Sequence, residues 1–401
     1  MDRQQNFWQL ASIQSAAQAI PSILIGGILA EQYGSAVAFT SICVGNLILW
    51  VIGLCVISMA AKSRTNAIEN VKGYLGKFGG TAMSLTLALA FIAWYMLEIQ
   101  STTDALKPFF KTTDKWDPLF FGSVCGVVIA ILSRGGIRLI KWFCTIAFPF
   151  LLCFVLYAIW TSAPIAHDGL WGFSFLGIIS AASLTLPGMV NLPTFFRHAR
   201  SRADSIIALM LLTVFNALFQ IFSIYTRMTL PSDFFTKLNA FPELIIAAFA
   251  VLLLLCTNLV NIYFASACIE SITQKISRPN GYLLVGIVGT AAYACLRDPT
   301  PVLFLENLVD NFIANLGVVL LISYLVGVIV KHRPRQMEKA VSNTCWGIGC
   351  LLALIAQVQY PDRLDLVFTI GVSSSVFSFL CVLFIEETLW SFRKLRARNV
   401  R

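Results

Sequence analysis

The sequence predicts an all-α polytopic membrane protein of about twelve transmembrane helices. Two successive blocks of five form an inverted repeat with broken first and sixth helices, and two further helices follow at the C-terminus. Three observations lead there. Only 12% of the 401 residues are charged while 58% are hydrophobic. Average globular chains carry about 25% charged residues, so this chain cannot cover its own surface in water. Its apolar runs repeatedly reach the roughly 20 residues that a helix needs to cross a hydrocarbon core about 30 Å thick. The basic residues alternate between rich and poor loops, as they do when loops lie on opposite sides of a bilayer. A dozen such spans leave no room for a sizeable soluble domain, a receptor ectodomain or a fused cytoplasmic enzyme.

The hydrophobic runs cover 10–30, 36–60, 81–101, 118–133, 143–163, 170–196, 206–226, 243–270, 281–296, 302–330, 342–358 and 364–386. Helices are the default, because strands in lipid must close into a barrel and would show ten-residue alternation, which is absent. The runs divide into a first repeat over about 10–163, a second over about 170–330, extra helices over about 342–386 and a basic tail at 387–401, all within one transmembrane domain. The 11 cysteines are scattered through apolar stretches without a CxxC pair near His. They read as small apolar fillers, not as a zinc site or a disulfide framework. The N-terminal MDRQQNFWQ shows no cleavage-site pattern before the first run, so no signal peptide is expected.

With the N-terminus inside, 22 of the 29 Lys and Arg residues fall in cytoplasmic segments: Arg3, the clusters at 62–77, 134–141, 197–202, 275–278 and 331–339, and the tail at 393–401. Seven fall outside: Lys107, Lys111, Lys115, Arg227, Lys237, Arg297 and Arg363. This bias predicts an integral protein of a bacterial inner membrane with both termini cytoplasmic. The net charge of +9 then matches an anionic inner leaflet. A nucleic-acid partner would need a basic face on a folded domain, and none is expected.

Gly and Pro inside spans are informative, because irregular backbone survives at membrane depth only where it lines a cavity. The first span, SIQSAAQAIPSILIGGILA, places Pro21 between a polar stretch and Gly26-Gly27. Ser15, Gln18 and Ser22 share a helix face at i, i+3 and i+7. The sixth span carries Pro187-Gly188, Asn191 and Pro193 within about two turns. The third and eighth spans hold the corresponding positions of the two blocks, and both carry polar groups. In FIAWYMLEIQ, Phe91, Trp94 and Glu98 lie on one face. Glu98 either faces the protein interior, as its cost in lipid demands, or snorkels at the outer boundary beside Thr102, Thr103 and Asp104. In LLLLCTNLVNIYFAS, Thr257, Asn258 and Asn261 interrupt an apolar helix, either as interhelical hydrogen bonds or as oxygen ligands for Na⁺. Glu306, Asp310, Asn311 and Asn315 punctuate the start of the tenth span, lining an outer vestibule or merely starting a helix. His167, His198 and His332 all fall in loops, which leaves no intramembrane histidine relay.

These segments, in this order, resemble the nucleobase–cation symporter family, the cytosine and purine permeases. IGGILA followed by VGNLILW is similar to that family's GG…GNLLLG pattern. Trp94 is similar to the aromatic residue on which the family stacks its base, and AASLTLPGMVNLPTFFRHARSRAD resembles its broken sixth span. TNLVNIYFAS resembles the eighth-span segment that supplies cation-site hydroxyls, and NLGVVLLISYLVG the tenth span. The resemblance implies the inverted-repeat fold of the leucine transporter and a cation-coupled symporter for a small heterocycle such as cytosine or a purine, working by alternating access. It implies a solute site at Trp94, Phe91, Gln18, Gly188, Asn191 and Asn261. Coupling would fall to Ser15, Gln18, Thr257, Asn258 and Glu98, with Na⁺ held at Ser15, Gln18, Thr257 and Asn258. Two departures stand out. Phe91 occupies a position where the family tends to place Gln, and the hydroxyl pair of the eighth span is here Thr257-Asn258. Glu98 therefore makes H⁺ an alternative coupling ion.

The expected partners are a small solute, a coupling cation and the bilayer, with no obligate protein partner and no cofactor beyond the ion. No Walker-type GxxxxGK[ST] sequence suggests ATP use. An amino-acid permease on the same fold is the first alternative. An intramembrane enzyme would need convergent His, Asp or Cys groups, and a channel would need pore motifs or charge rings. The orientation is testable: alkaline phosphatase fused after Arg401 is expected to be inactive in bacterial cells, and a fluorescent-protein fusion there bright.

Overall fold

A computed structural model of the chain describes residues 4–63, 67–106, 117–161, 172–226, 238, 241–273, 278–296, 300–329 and 335–398. Arg3, Lys107, Lys111, Lys115, His167, Arg227, Lys237, Lys275, Arg297 and His332, on which part of the loop reading rests, lie outside them. The helices are α1 (Phe7–Tyr33), α2 (Ser35–Ser63), α3 (Ala67–Leu106), α4 (Pro118–Ser133), α5 (Gly136–Thr161), α6 (Phe175–Val190), α7 (Leu192–Phe196), α8 (Arg202–Thr226), α9 (Glu243–Ile272), α10 (Arg278–Cys295), α11 (Thr300–Ile329), α12 (Arg335–Gln359) and α13 (Leu364–Arg398). Each expected run is helical, and the sixth contributes both α6 and α7. Among the described residues ten helical segments are long and apolar enough to cross a membrane, and α4 is a shorter apolar helix. All 11 cysteines are free thiols.

Local chemistry fixes the ends. Asn6 caps α1 reciprocally: its side chain accepts from the Gln9 N–H at 2.9 Å, and the Gln9 side chain accepts from the Asn6 N–H at 3.3 Å. Gly34 stops the helix at φ 78°, a conformation that costs a residue without Cβ little, and α2 starts at the next residue. Asp117 caps α4 ahead of Pro118, and Ser174 caps α6.

Two elements differ from the sequence reading. Helix α3 begins at Ala67, well before residue 81, and bends at Gly76 (φ 77°). Glu69, Lys72 and Lys77 hid this opening stretch from hydropathy, yet Ile68, Val71 and Leu75 lie at helical spacing and are buried. The break expected in α1 is confined to a single lost bond. Pro21 sits inside an uninterrupted helix, where its missing N–H leaves only the Ala17 carbonyl without its helical donor.

The pairing of helices is the same after the two five-span blocks are exchanged. Helix α1 packs on α8 as α6 packs on α2. Helix α9 meets α5 and α4 as α3 meets α11 and α10, and α5 meets α8 as α11 meets α2. Five spans is an odd number, so the second block enters from the opposite side. That parity makes the repeat inverted. Helices α1, α3, α6–α7 and α9 form the centre: 72% of the most apolar window of α9 is buried, against 28% for α13.

Close approaches rest on small residues, as is usual between helices in lipid. A Cβ at Gly26 would overlap the Gln220 carbonyl of α8, whereas Gly347 faces open space. Gly26→Ala is expected to cost about 1–3 kcal/mol by overpacking, seen as a lower thermal midpoint in detergent. Gly347→Ala should leave that midpoint within a degree or two.

Candidate solute-binding site

The central helices enclose a cavity of about 90 Å³. Helix α1 contributes Gln14, Gln18 and Ser22; α3 contributes Phe91, Trp94 and Glu98; α6 and the break after it contribute Thr185, Gly188 and Asn191. Asn261 and Phe264 come from α9, and Asp310 and Ile313 from α11.

The broken sixth span shapes one wall. Asn191 separates α6 from α7 with φ −87° and ψ −7°. Pro187 and Pro193 each lack an N–H for the turn before them. Asn191 donates its side-chain amide to the Pro187 carbonyl at 3.3 Å, whose helical donor, the Asn191 N–H, turns instead to the Met189 carbonyl. Gly188 lets Gln18 approach the wall, since a Cβ there would overlap the Gln18 amide.

Glu98 is 1% exposed, so it faces the protein interior and does not snorkel at the boundary. Its Oε2 accepts from Asn261 Nδ2 at 3.1 Å, and its Oε1 has no partner. Asp310 is a second carboxylate on the same cavity. Trp94 Nε1–H reaches both of its oxygens, at 3.2 and 3.3 Å. The indole expected to serve only as a stacking face is thus also a hydrogen-bond donor. Phe91 stacks on Phe264 with centroids 4.8 Å apart.

A chain of amides supports the α1 side. Gln18 Oε1 accepts from Asn216 Nδ2 at 2.6 Å. On α8, Gln220 accepts from Asn46 at 2.6 Å and donates to the cavity-lining Thr185 at 3.1 Å.

The residues expected to hold Na⁺ are divided. Gln18 lines the cavity; Ser15, Thr257 and Asn258 are buried and are not among the residues that line it. Thr257 Oγ1 donates to the Leu253 carbonyl at 2.7 Å and approaches the Ala16 carbonyl at 3.4 Å. The Ser12 and Ser15 hydroxyls and both amide atoms of Asn258 are buried without a partner. Of the remaining expected solute residues, Trp94, Phe91, Gly188, Asn191 and Asn261 all reach the cavity. Sequence reasoning missed Gln14, Thr185, Phe264 and, above all, Asp310 as site residues. The signal for Asp310 was present as a carboxylate in the tenth span, but it read equally well as a helix start.

No family model and no curated protein matches the sequence. The fold itself is shared with solved transporter structures. One is Mhp1, a nucleobase-cation-symport-1 family transporter, in a closed conformation with bromovinylhydantoin bound, at TM-score 0.64 and 14% identity over 96% of this chain and 94% of that one. Another is a Na⁺-coupled sialic acid symporter in a substrate-bound outward-open state, at TM-score 0.66 and 15% identity over 94% and 89%. A third is the manganese transporter of Eremococcus coleocola, at TM-score 0.59 and 14% identity over 98% and 95%. The likeness is one of fold, and the leucine-transporter type of inverted repeat expected from the sequence is the architecture observed.

The Asn261–Glu98 pair can be tested directly. Asn261→Leu strands the carboxylate and should cost about 1–3 kcal/mol, lowering the thermal midpoint. Replacing both partners, Glu98→Leu with Asn261→Leu, should recover most of the loss.

Proposed function

We propose that the chain is a cation-coupled secondary active transporter that moves a small planar heterocyclic solute, of the size of cytosine or a purine, by alternating access. One observation carries the reading: a small, mostly apolar cavity with aromatic walls and a few polar groups, formed between the two blocks and lined by the broken sixth span. Trp94, Phe91 and Phe264 offer flat apolar faces. Gln18, Asn191 and Asn261 carry the hydrogen-bonding groups that would read the edge of a heterocycle. The partners this implies are the solute, a coupling cation and the lipid bilayer of an inner membrane, with both termini cytoplasmic.

Two places offer coupling. Buried polar atoms without partners are costly, about 1–3 kcal/mol each, and the oxygens among them, the Ser15 hydroxyl and Asn258 Oδ1, are of the kind a cation would satisfy. Glu98 offers a proton site within the cavity itself. An amino-acid permease is the weaker reading. Helix α1 is continuous and presents no free helix end to a carboxylate, and among the described residues no basic side chain lines the cavity.

Uptake into proteoliposomes, with Na⁺ and pH gradients imposed separately and labelled bases, nucleosides and amino acids as solutes, tests the reading. Accumulation of a heterocycle is expected under one of the two gradients. Trp94→Ala should reduce it at least tenfold. Asn258→Ala should abolish Na⁺-driven uptake if Na⁺ is the driver, and Glu98→Gln pH-driven uptake if H⁺ is. Robust amino-acid uptake with no heterocycle accumulated would sink the proposal.

A further inference from the structure

The charge of the cavity is one-sided. Glu98 from α3 and Asp310 from α11 both face it, and among the described residues lining it there is no Lys, Arg or His. Each carboxylate is met only by a neutral donor, Asn261 for Glu98 and the Trp94 indole for Asp310. An ionised carboxylate accepts about four hydrogen bonds. Glu98 Oε1 is buried with none, and Asp310 shares a single N–H between its two oxygens. Such a site is incomplete in both charge and hydrogen bonds, and what completes it must bring N–H donors together with positive charge.

We infer that the transported solute is a planar nitrogen cation, an amidinium, guanidinium or protonated aminoheterocycle, whose N–H groups pair with Asp310 and Glu98. This deepens the transporter reading and rests on it. A delocalised planar cation offers two parallel N–H groups to one carboxylate. Its faces are also attracted by the aromatic rings of Phe91, Trp94 and Phe264, which border the same space. A metal ion or ammonium would neutralise the charge but leave the flat aromatic walls unused. A neutral base would use those walls and leave the charge uncompensated.

The probes are benzamidine, a planar amidinium at neutral pH, and benzamide, its uncharged counterpart of the same shape. Binding to the purified full chain in detergent, by calorimetry, is expected to be at least tenfold tighter for benzamidine. Asp310→Asn and Glu98→Gln, both nearly isosteric, should each bring that ratio down severalfold, and the double variant close to one. Equal affinity for the two probes, preference for benzamide, or binding of neither overturns the inference. So does an unchanged ratio in the double variant. Uptake separates this outcome from failure of the wider proposal. Ion-driven accumulation of neutral bases without charge preference sinks the cationic solute and leaves the transporter standing. Charge-selective binding without any ion-driven uptake does the reverse.

Discussion

The hydrogen bonds from Asn261 to Glu98 and from Trp94 to Asp310 are the constraint around which the central helices are set. A carboxylate at membrane depth costs at least about 2.5–3.5 kcal/mol on insertion scales, and nothing in lipid can relieve it. Both donors must therefore come from protein, at fixed positions. Helix α3 supplies one acid and one donor. Glu98 ties it to α9, and Trp94 ties it to α11. Phe91, on the same face, stacks against Phe264 of α9. A slip of α3 by one turn, about 5.4 Å, would break all three contacts at once. The register of the core is thus specified by polar pairs more than by the apolar packing, which is nearly degenerate among Leu, Ile and Ala.

The contrast between the first and sixth spans follows from how many backbone bonds are removed together. In α1 only Pro21 interrupts the ladder, and the turns on either side carry the helix through. In the sixth span two prolines six residues apart bracket Gly188 and Asn191, and the helix is interrupted at Asn191. The freed Pro187 carbonyl is claimed by the Asn191 side chain, so the break carries its own cap. Both spans still expose polar atoms to one space, α1 through Gln14 and Gln18 and the sixth span through Thr185 and Asn191.

Composition and periodicity made the twelve helical runs legible, because lipid imposes a minimum length and forbids unpaired backbone. They failed where charge and burial coexist. The amphipathic opening of α3 was lost to Glu69, Lys72 and Lys77. Asp310 could be read as lining a vestibule or as punctuation, since Asp and Asn cluster at helix starts. In the fold α11 begins at Thr300, which leaves Asp310 about 15 Å along the helix, opposite Trp94. Glu98 was ambiguous for a related reason: its neighbours in sequence are polar, while its neighbours in space are Asn261 and the cavity. Pairs such as Gln18 with Asn216, or Phe91 with Phe264, are tertiary facts that no single-segment pattern encodes.

The ends of α1 are tied down by interactions of different kinds, one to the second block and the other mainly to the start of α13. At its N-terminal end the backbone of Gln5 pairs with the strand-like turn after α7, donating to His198 at 2.8 Å and accepting from Arg200 at 2.9 Å. The Phe7 N–H adds a bond to Asp204 at 3.1 Å. At the other end Tyr33 donates to Asp365 at 2.7 Å, Arg363 holds the same carboxylate at 3.1 Å, and Ser180 of α6 lies 3.4 Å from the Tyr33 hydroxyl. A backbone pair demands alignment of two chain segments and is indifferent to side-chain identity. The second cluster is built from side chains, one of them the half-exposed Arg363, and can open by rotamer changes alone. A motion of α1 against the second block therefore works against the backbone pair, and one against α13 against the side-chain cluster. The side-chain end is the one that can yield without unpicking secondary structure.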